Sequence, residues 1–378
     1  MKNIVGIIVE FNPLHKGHIE HIIQTRRNIG ADYVIAVMSG HFVQRGEPAI
    51  INKFARTREA LLNGVDVVIE IPVVYATAAA DYFARGSVGL LDACGVVGGL
   101  SFGSESGNIV EIVKAGEILA QEPAAYKKAL RAGLDGGLSF AGARGRALEV
   151  MMGDVAVSEG FFTKPNNCLG VEYVKALRLL GNPMAIHTTH RKSGGATATR
   201  ARAQMHQGAK YPKLDDFSDM FKYAMMMQPS VADTFGEGLG NRFFKHINQH
   251  HKISDLLMAV KTKRYTHTRL QRHVMRTVLG ITPSMMDNFE NGGGVQYVRV
   301  LGFRRSGAEV VGQITGASKL PVITTGRDMD KILAGGGLAG EMLQAEFRAG
   351  DIYNIVAGEA QGQGYFSERG AGLVIVDG

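Results

Sequence analysis

Two histidines three residues apart, His15 and His18, bracket Lys16-Gly17 shortly after an apolar run, Ile4-Val5-Gly6-Ile7-Ile8-Val9. Imidazoles at that spacing share one helical face and can donate hydrogen bonds to phosphate oxygens. Glycine lets the main chain approach a phosphate closely, and the first amides of a helix attract anions. A strand running into His-x-Gly-His at a helix start is thus a place for a nucleoside triphosphate. The chemistry it suits is attack on the α-phosphate with pyrophosphate leaving, and His15 and His18 are the expected catalytic pair. Two other readings compete. His21 continues the three-residue spacing and could make a metal site, but a glycine turn between strand and helix suits phosphate better than zinc, and no metal is assigned. The other is a plain helix start with surface histidines.

A second constellation is Ala196-Thr197-Ala198-Thr199-Arg200, preceded by His190-Arg191-Lys192-Ser193-Gly194-Gly195. A hydroxyl can cap a helix there, and Arg191 or Arg200 can neutralise charge developing on pyrophosphate. Thr197 and Arg200 are therefore expected at the triphosphate. No nucleophile–base pair stands out, and Cys168 reads as a bystander thiol. Positioning and charge neutralisation would carry the reaction, as in nucleotidyl transfer.

The third constellation is basic. Arg242, Lys245, Lys252, Lys261, Lys263, Arg264, Arg269, Arg272 and Arg276 fall in one stretch with Asp255 as its only acid, and Tyr265 and five histidines are interleaved. A stripe of this kind fits a nucleic-acid backbone, with Tyr265 or an arginine plane available to stack on an unpaired base. The competing reading is a solvated helix face. Lys261, Lys263, Arg264, Arg269 and Arg272 are the expected RNA contacts.

The elements that must position these groups begin as alternating strand and helix. Strands are expected at Ile4–Val9, Tyr33–Met38, Val65–Ile71 and Val96–Phe102, with Met184–His187 as the last. Helices are expected over His18–Asn28, Phe54–Asn63, Asp81–Ala93, Ile109–Leu119, Tyr126–Arg131 and Leu169–Leu180, the last after a polar turn at Thr163-Lys164-Pro165-Asn166-Asn167. Short apolar runs separated by amphipathic helices predict an α/β, doubly wound, Rossmann-like parallel sheet covered on both faces. Ligands of such sheets bind beyond the carboxyl ends of the strands, where His-x-Gly-His and Gly103 would meet. The rhythm stops after Arg202. This divides the chain into a catalytic domain over 1–205, a mainly helical basic domain over 206–290, and a small α+β region over 291–378. In the last, Tyr297–Leu301 and Leu373–Val376 look strand-like.

The bulk properties set outer limits. A length of 378 residues, 45% hydrophobic and 20% charged, allows a sizeable core and more than one domain. A net charge of +7 favours an acidic partner, nucleic acid or a phosphorylated substrate. Two cysteines, Cys94 and Cys168, exclude a disulfide framework and suit a reducing cytoplasm. No apolar run reaches the roughly 18–20 residues of a membrane span.

Several segments together resemble the bacterial tRNA(Met) cytidine acetate ligase family, within the nucleotidyltransferases that carry HIGH-type motifs. They are Glu10-Phe11-Asn12-Pro13-Leu14-His15-Lys16-Gly17-His18, Gln44-Arg45-Gly46-Glu47-Pro48-Ala49, Val65-Asp66-Val67-Val68-Ile69-Glu70-Ile71-Pro72, Ser101-Phe102-Gly103-Ser104-Glu105 and Lys164-Pro165-Asn166-Asn167. Lys263-Arg264-Tyr265 with Arg269 looks like the family's helical domain. The resemblance implies a two-step ligase: ATP and acetate give acetyl-adenylate, and the acetyl group passes to the wobble cytidine of elongator tRNA(Met), giving N4-acetylcytidine. It implies ATP contacts at Ile7, Ile8, Val9, Glu10, Phe11, Asn12, Pro13, Leu14, His15, Lys16, Gly17, His18, Ile19 and Glu20, and at Gly103, Asn166 and Arg191. Either of the adjacent Asn166 and Asn167 could face the nucleotide. After Arg191 the chain departs from the pattern, with Lys-Ser-Gly-Gly where a more aromatic sequence is expected. Mg2+ is expected with ATP from the chemistry of triphosphates. The alternative is a nucleotidyltransferase acting on a small phosphorylated cofactor precursor, which needs the same motifs but no RNA-binding domain.

Overall fold

The computed structural model describes residues 2–153, 155, 157–191, 211–227, 238–262, 265–361 and 368–377, without the side chains of 359–361. Its strands are β1 Ile4–Val9, β2 Tyr33–Ser39, β3 Phe42–Val43, β4 Glu47–Pro48, β5 Val67–Ile71, β6 Gly99–Ser104, β7 Ala185–His190, β8 Val298–Arg304, β9 Val322–Ile323 and β10 Val374–Val376. Helices of the first half are α1 Lys16–Ile29, α2 Lys53–Leu62, α3 Val73–Ala76, α4 Ala80–Ala93, α5 Ile109–Gln121, α6 Ala124–Asp135, α7 Phe140–Met151 and α8 Pro165–Leu179. The second half adds α9 Ser218–Met227, α10 Leu239–Ile247, α11 Ile253–Val260, α12 His267–Val278, α13 Pro283–Asn291, α14 Ala308–Ala317, α15 Gly326–Gly335 and α16 Gly337–Gln361.

Strand order across the main sheet is β10-β8-β5-β2-β1-β6-β7, with β9 added to β8 and β3-β4 forming a separate hairpin. The strands β5, β2, β1, β6 and β7 run parallel. Alternation along each strand feeds two cores. Val5, Ile7, Val34, Ala36, Met38 and Val68 face one side with Ile22 of α1 and Ala60 and Leu61 of α2. Ile4, Ile35, Val37, Val67 and Ile69 face the other, packed with Val88 and Leu91 of α4. This is the doubly wound sheet that the apolar runs predict. From β1 the chain builds outward through β2 and β5, then returns to place β6 on the other side of β1. The switch point therefore lies between β1 and β6, and the crevice beyond their carboxyl ends is where such folds bind ligands.

The strand-like runs near 297–301 and 373–376 become β8 and β10, and they extend this sheet. β8 runs antiparallel to β5, with Val67 opposite Phe303, and β9 and β10 lie parallel to β8. The sheet is therefore mixed. No βα crossover links β5 to β8, because the chain returns from the helical segment through Gly292-Gly293-Gly294, and nothing imposes a parallel direction.

A buried charge cluster fastens this addition. Lys53 Nζ lies 2.6 Å from Glu70 and 3.5 Å from Glu346 and pairs also with Glu368, while Arg299 Nη1 lies 2.9 Å from Glu70 and 3.0 Å from Glu368. Burial and the neighbouring Glu70 raise the Glu346 carboxyl well above the ordinary range. Burial likewise lowers His41, beside Glu368, to about 4, leaving it neutral. Lys53 and Arg299 face Glu70 and Glu368 and hold both carboxyls below the ordinary range, against the opposing effect of burial. Removing one partner would leave a buried charge uncompensated, at a cost of roughly 3–5 kcal/mol.

Helices α9 to α13 form a layer whose core includes Phe221, Phe243, Leu257, Leu270, Val274 and Met275. It docks on the sheet domain through Arg276 Nη1, which donates to Val74 O at 2.9 Å, and through Glu290, which accepts from Tyr75 Oη at 2.9 Å and Arg85 Nη1 at 2.7 Å. Among the described residues no helix is long and apolar enough to cross a membrane.

Candidate nucleotide and RNA site

At the carboxyl end of β1 the chain turns sharply. Phe11 takes φ +46° and the Asn12–Pro13 peptide is cis, which delivers His15 to the N-cap of α1. Residues 44–56 supply contacts that hold this loop. Gln44 N donates to Glu10 Oε1 at 2.8 Å, and Ile50 N donates to Asn12 Oδ1 at 2.9 Å. Arg56 Nη1 donates to Glu10 O at 2.6 Å and to Ser39 O at 3.0 Å. Its Nε reaches Ile51 O at 2.9 Å, and its Nη2 binds Gly40 O. One buried guanidinium thus ties together the ends of β1 and β2. Burial raises the Glu10 carboxyl, against the opposing pull of the Gln44 amide, Arg45 and Arg56.

The histidines sit at the start of α1 in distinct states. His15 Nδ1 accepts from Gly17 N at 3.1 Å, so in the neutral ring Nε2 carries the proton and is the donor. His18 stacks on His15 with ring centroids 3.7 Å apart, and Phe11 meets His18 edge-on at 5.1 Å. Burial, with His15 and Arg191 nearby, pushes His18 down to about 2. Its Nδ1 is enclosed and has no hydrogen-bond partner among the described residues. His21 lies behind, with Nε2 3.0 Å from Ser101 Oγ of β6, and burial beside Arg191 lowers it to about 4. At neutral pH both rings are uncharged donors or acceptors, so the cationic groups expected at the phosphates are Arg191 and, next to Gly17, the exposed Lys16.

The opposite wall is built by β6 and β7. Gly103 lies against Arg191, whose Cγ would stand 3.0 Å from a Cβ added there. Arg191 N donates to Ser104 O at 2.8 Å, which continues the β6–β7 ladder as far as this exposed arginine. Below it, Glu105 and the Asn pair lock reciprocally. Asn167 Oδ1 accepts from Glu105 N and Ser106 N at 2.9 and 3.1 Å, while Asn167 N donates to Glu105 Oε2 at 2.9 Å. Asn167 is buried and committed to that lock. Asn166 is half-buried and donates through Nδ2 to Glu105 Oε1 at 2.6 Å. Of the segment expected as a polar turn, Pro165, Asn166 and Asn167 form instead the first turn of α8 behind the N-cap Lys164, with Pro165 at a position where its missing N–H costs nothing.

The structure thus brings together His15, Gly17, His18, Gly103 and Arg191, with Asn166 on the adjoining α8 turn. Ile7 and Val9 are buried within β1, as is Phe11 beyond it, so that part of the expected contact segment offers main chain more than side chains. Lys16, Gly17 and Glu20 are exposed, while Ile19 and Leu14 are half-buried. Thr197 and Arg200, and Lys263 and Arg264 of the basic stretch, lie outside the described residues. Of the remaining basic positions, Lys261 is exposed, and Arg269 and Arg272 are half-buried on α12. Two expectations change. Tyr265 is buried beneath Arg269, whose guanidinium carbon lies 5.4 Å from the ring centre, so it is not open for base stacking. Arg276 is buried on the docking contact with Val74 and does not belong to an RNA-facing stripe.

Sequence reasoning missed Arg56 as a site residue, although a signal was present. Lys53, Arg56, Thr57, Ala60 and Leu61 form the buried stripe of α2, so two of its core-facing positions carry charges. Such a residue is retained inside only if polar partners meet it.

Comparison with known proteins agrees with this geometry. A family model described as HIGH Nucleotidyl Transferase matches residues 1–209 and 196–366. A tRNA(Met) cytidine acetate ligase of Thermoanaerobacter sp. (strain X514) is 35% identical over 388 residues, covering 93% of this chain and 95% of the relative. The chain belongs to this family. A ligase of the same name from Caldanaerobacter subterraneus subsp. tengcongensis is 38% identical, covering 85% of this chain and 88% of the relative. The crystal structure of Thermotoga maritima TmcAL bound with alpha-thio ATP superposes with a TM-score of 0.91 at 32% identity, over 100% of both chains. At that likeness the two chains share one fold.

Proposed function

We propose that this chain is an ATP-dependent ligase that activates acetate as acetyl-adenylate and transfers the acetyl group to the wobble cytidine of elongator tRNA(Met), giving N4-acetylcytidine. The observation that carries the reading is the switch-point crevice itself. There His15, held by Gly17, and Arg191, beside Gly103, flank one anion-binding helix start. Relatives over most of the chain bear the ligase name, and a solved structure of like fold was bound with an ATP analogue.

In this mechanism an acetate oxygen attacks the α-phosphorus and pyrophosphate leaves. His15 Nε2–H donates to the α-phosphate, with His18 stacked behind it to fix the ring. Arg191 neutralises charge on the departing pyrophosphate, and the positive end of the α1 dipole faces the phosphate oxygens. Asn166, rather than Asn167, is the asparagine that faces nucleotide, because Asn167 is committed to Glu105 and Ser106. In the second step the exocyclic amine of cytidine attacks the acyl carbon, losing a proton as AMP leaves. Lys261, Lys263, Arg264, Arg269 and Arg272 hold the RNA backbone. Mg2+ would arrive with the triphosphate as part of the substrate, held by phosphate oxygens and water as is usual for this ion.

The test is acetate-dependent exchange of labelled pyrophosphate into ATP without RNA, followed by nucleoside mass spectrometry after adding bulk tRNA. Exchange with acetate and a single acetylated cytidine are expected. His18→Ala should lower exchange by about a hundredfold or more while leaving tRNA affinity in place. Absence of exchange with every small carboxylate overturns the ligase reading. Activity on a small phosphorylated precursor without tRNA binding would favour the nucleotidyltransferase alternative.

A further inference from the structure

The β3–β4 hairpin touches both halves of the site at once. Its strands pair Phe42 with Pro48 and Val43 with Glu47, and Gly46 N closes the turn on Val43 O at 2.9 Å. On one side Gln44 N holds the Glu10 carboxylate, at the root of the His-x-Gly-His loop. On the other the hairpin lies directly on α12. A Cβ at Gly46 would stand 2.4 Å from Arg272 N, and φ is +75°, so only glycine permits that approach. Gln271 Nε2 adds a bond to Glu47 Oε1 at 2.9 Å.

Arg45 stands between these two anchor points. It is exposed, and its charge acts on the Glu10 carboxylate, yet among the described residues it makes no ion pair at salt-bridge distance. Its neighbours on both sides are fixed, so its backbone is held rigidly while its guanidinium is available. Along the hairpin contact α12 carries Arg269 and Arg272, and burial, with Arg269 nearby, lowers Arg272 to about 10. The turn thus adjoins both the root of the nucleotide loop and α12.

We propose that Arg45 is a further RNA-binding residue, contacting a backbone phosphate of the acceptor at the passage from α12 into the nucleotide crevice. This rests on the RNA-acceptor reading above. A guanidinium suits the task because it can grip two phosphate oxygens at once.

The test uses the full chain with Arg45→Ala and Arg45→Lys. Binding of bulk tRNA is followed by fluorescence anisotropy across a series of salt concentrations. Losing one phosphate contact should reduce the slope of log affinity against log salt by about 0.7–0.9 in the alanine variant. The lysine variant should keep the slope and recover part of the affinity. The catalytic efficiency toward tRNA should fall by about fivefold or more, with the loss in the RNA-dependent step rather than in pyrophosphate exchange. An unchanged salt slope overturns the proposal. So does a raised KM for ATP in exchange with tRNA affinity intact, because it would make Arg45 a nucleotide contact. Lys331→Ala, an exposed cation remote from the hairpin, should alter neither slope nor efficiency, and an equal loss there would reduce Arg45 to bulk charge. If the unmutated chain exchanges pyrophosphate but binds no tRNA, the RNA acceptor falls and Arg45's role with it. If it binds tRNA with the expected Arg45 slope but shows no exchange, the ligase reading alone falls.

Discussion

The Ser101 hydroxyl determines which nitrogen of His21 carries a proton. Thr25 Oγ1 donates its only proton to His21 O at 2.9 Å, so in the 3.1 Å contact between Thr25 and Ser101 the serine is the donor. Ser101 must then accept from His21, at 3.0 Å, and the neutral ring is protonated on Nε2 with a lone pair on Nδ1. A closed ring of bonds joining α1 to β6 thus sets one tautomer under the crevice.

Nitrogen-15 NMR of the histidine rings should report the Nε2–H form for His21 in the intact protein. In Ser101→Ala the partner is gone, and a mixture of tautomers is expected. A single Nδ1–H form in the unmutated protein would contradict the assignment.

Acid sensitivity follows from the buried imidazoles. His18 is held to about 2, His273 to about 3, and His21 and His41 to about 4, against about 6.5 in an unfolded chain. Folded-state values below the unfolded one mean that the unfolded chain binds more protons as pH falls. The stabilisation is therefore complete above about pH 6.5 and is lost progressively below it, at up to about 1.4 kcal/mol per pH unit for each histidine. Glu346 and Glu10, raised by burial, act in the opposite sense, so the clean measurement is a difference. Urea unfolding at pH 7, 6 and 5 should show His21→Gln losing about 2 kcal/mol less than the unmutated protein over that range. Parallel curves would refute the neutral state of His21.

Gly103→Ala places a methyl 3.0 Å from Arg191 Cγ and 3.2 Å from its Cδ. The arginine must shift, while the strand can remain because its neighbours are side-chain atoms. KM for ATP in exchange should rise by about three- to tenfold with stability changed by less than about 1 kcal/mol. A large fall in stability with KM unchanged would mean that Gly103 is needed for packing alone.

Arg56→Lys keeps the buried charge but cannot reach four carbonyls. Each carbonyl left without a donor costs about 1–3 kcal/mol, so a loss of roughly 2–4 kcal/mol in urea unfolding is expected. Because Glu10 O is one of them, exchange should fall in kcat more than in KM. Wild-type kcat in a measurably destabilised Arg56→Lys would show that the loop is positioned without it.

Much of this was legible in the chain. The parallel sheet was readable because β-branched runs such as Ile4–Val9 and Val67–Ile71 are buried on both faces. His15, Gly17 and His18 were readable because one local segment holds both the strand end and the helix start. What escaped was non-local. The antiparallel pairing of β5 with β8 joins Val67 to Phe303 without a crossover to announce it. The burial of Tyr265 and Arg276 depends on which face of α12 meets the sheet domain, and a basic stripe does not reveal this. The division of labour between Asn166 and Asn167 depends on Glu105, whose main chain and side chain both take part.

Strand β8, which lies between β5 and β10, has a bearing on biosynthesis. Until residues 298–304 have left the ribosome, β5 presents an open row of backbone donors and acceptors, the kind of edge that recruits other chains. A nascent or truncated chain ending in the helical layer would hold every residue of the nucleotide crevice and still carry that unprotected edge. The sheet domain and the helical layer are therefore completed by the same late stretch of polypeptide.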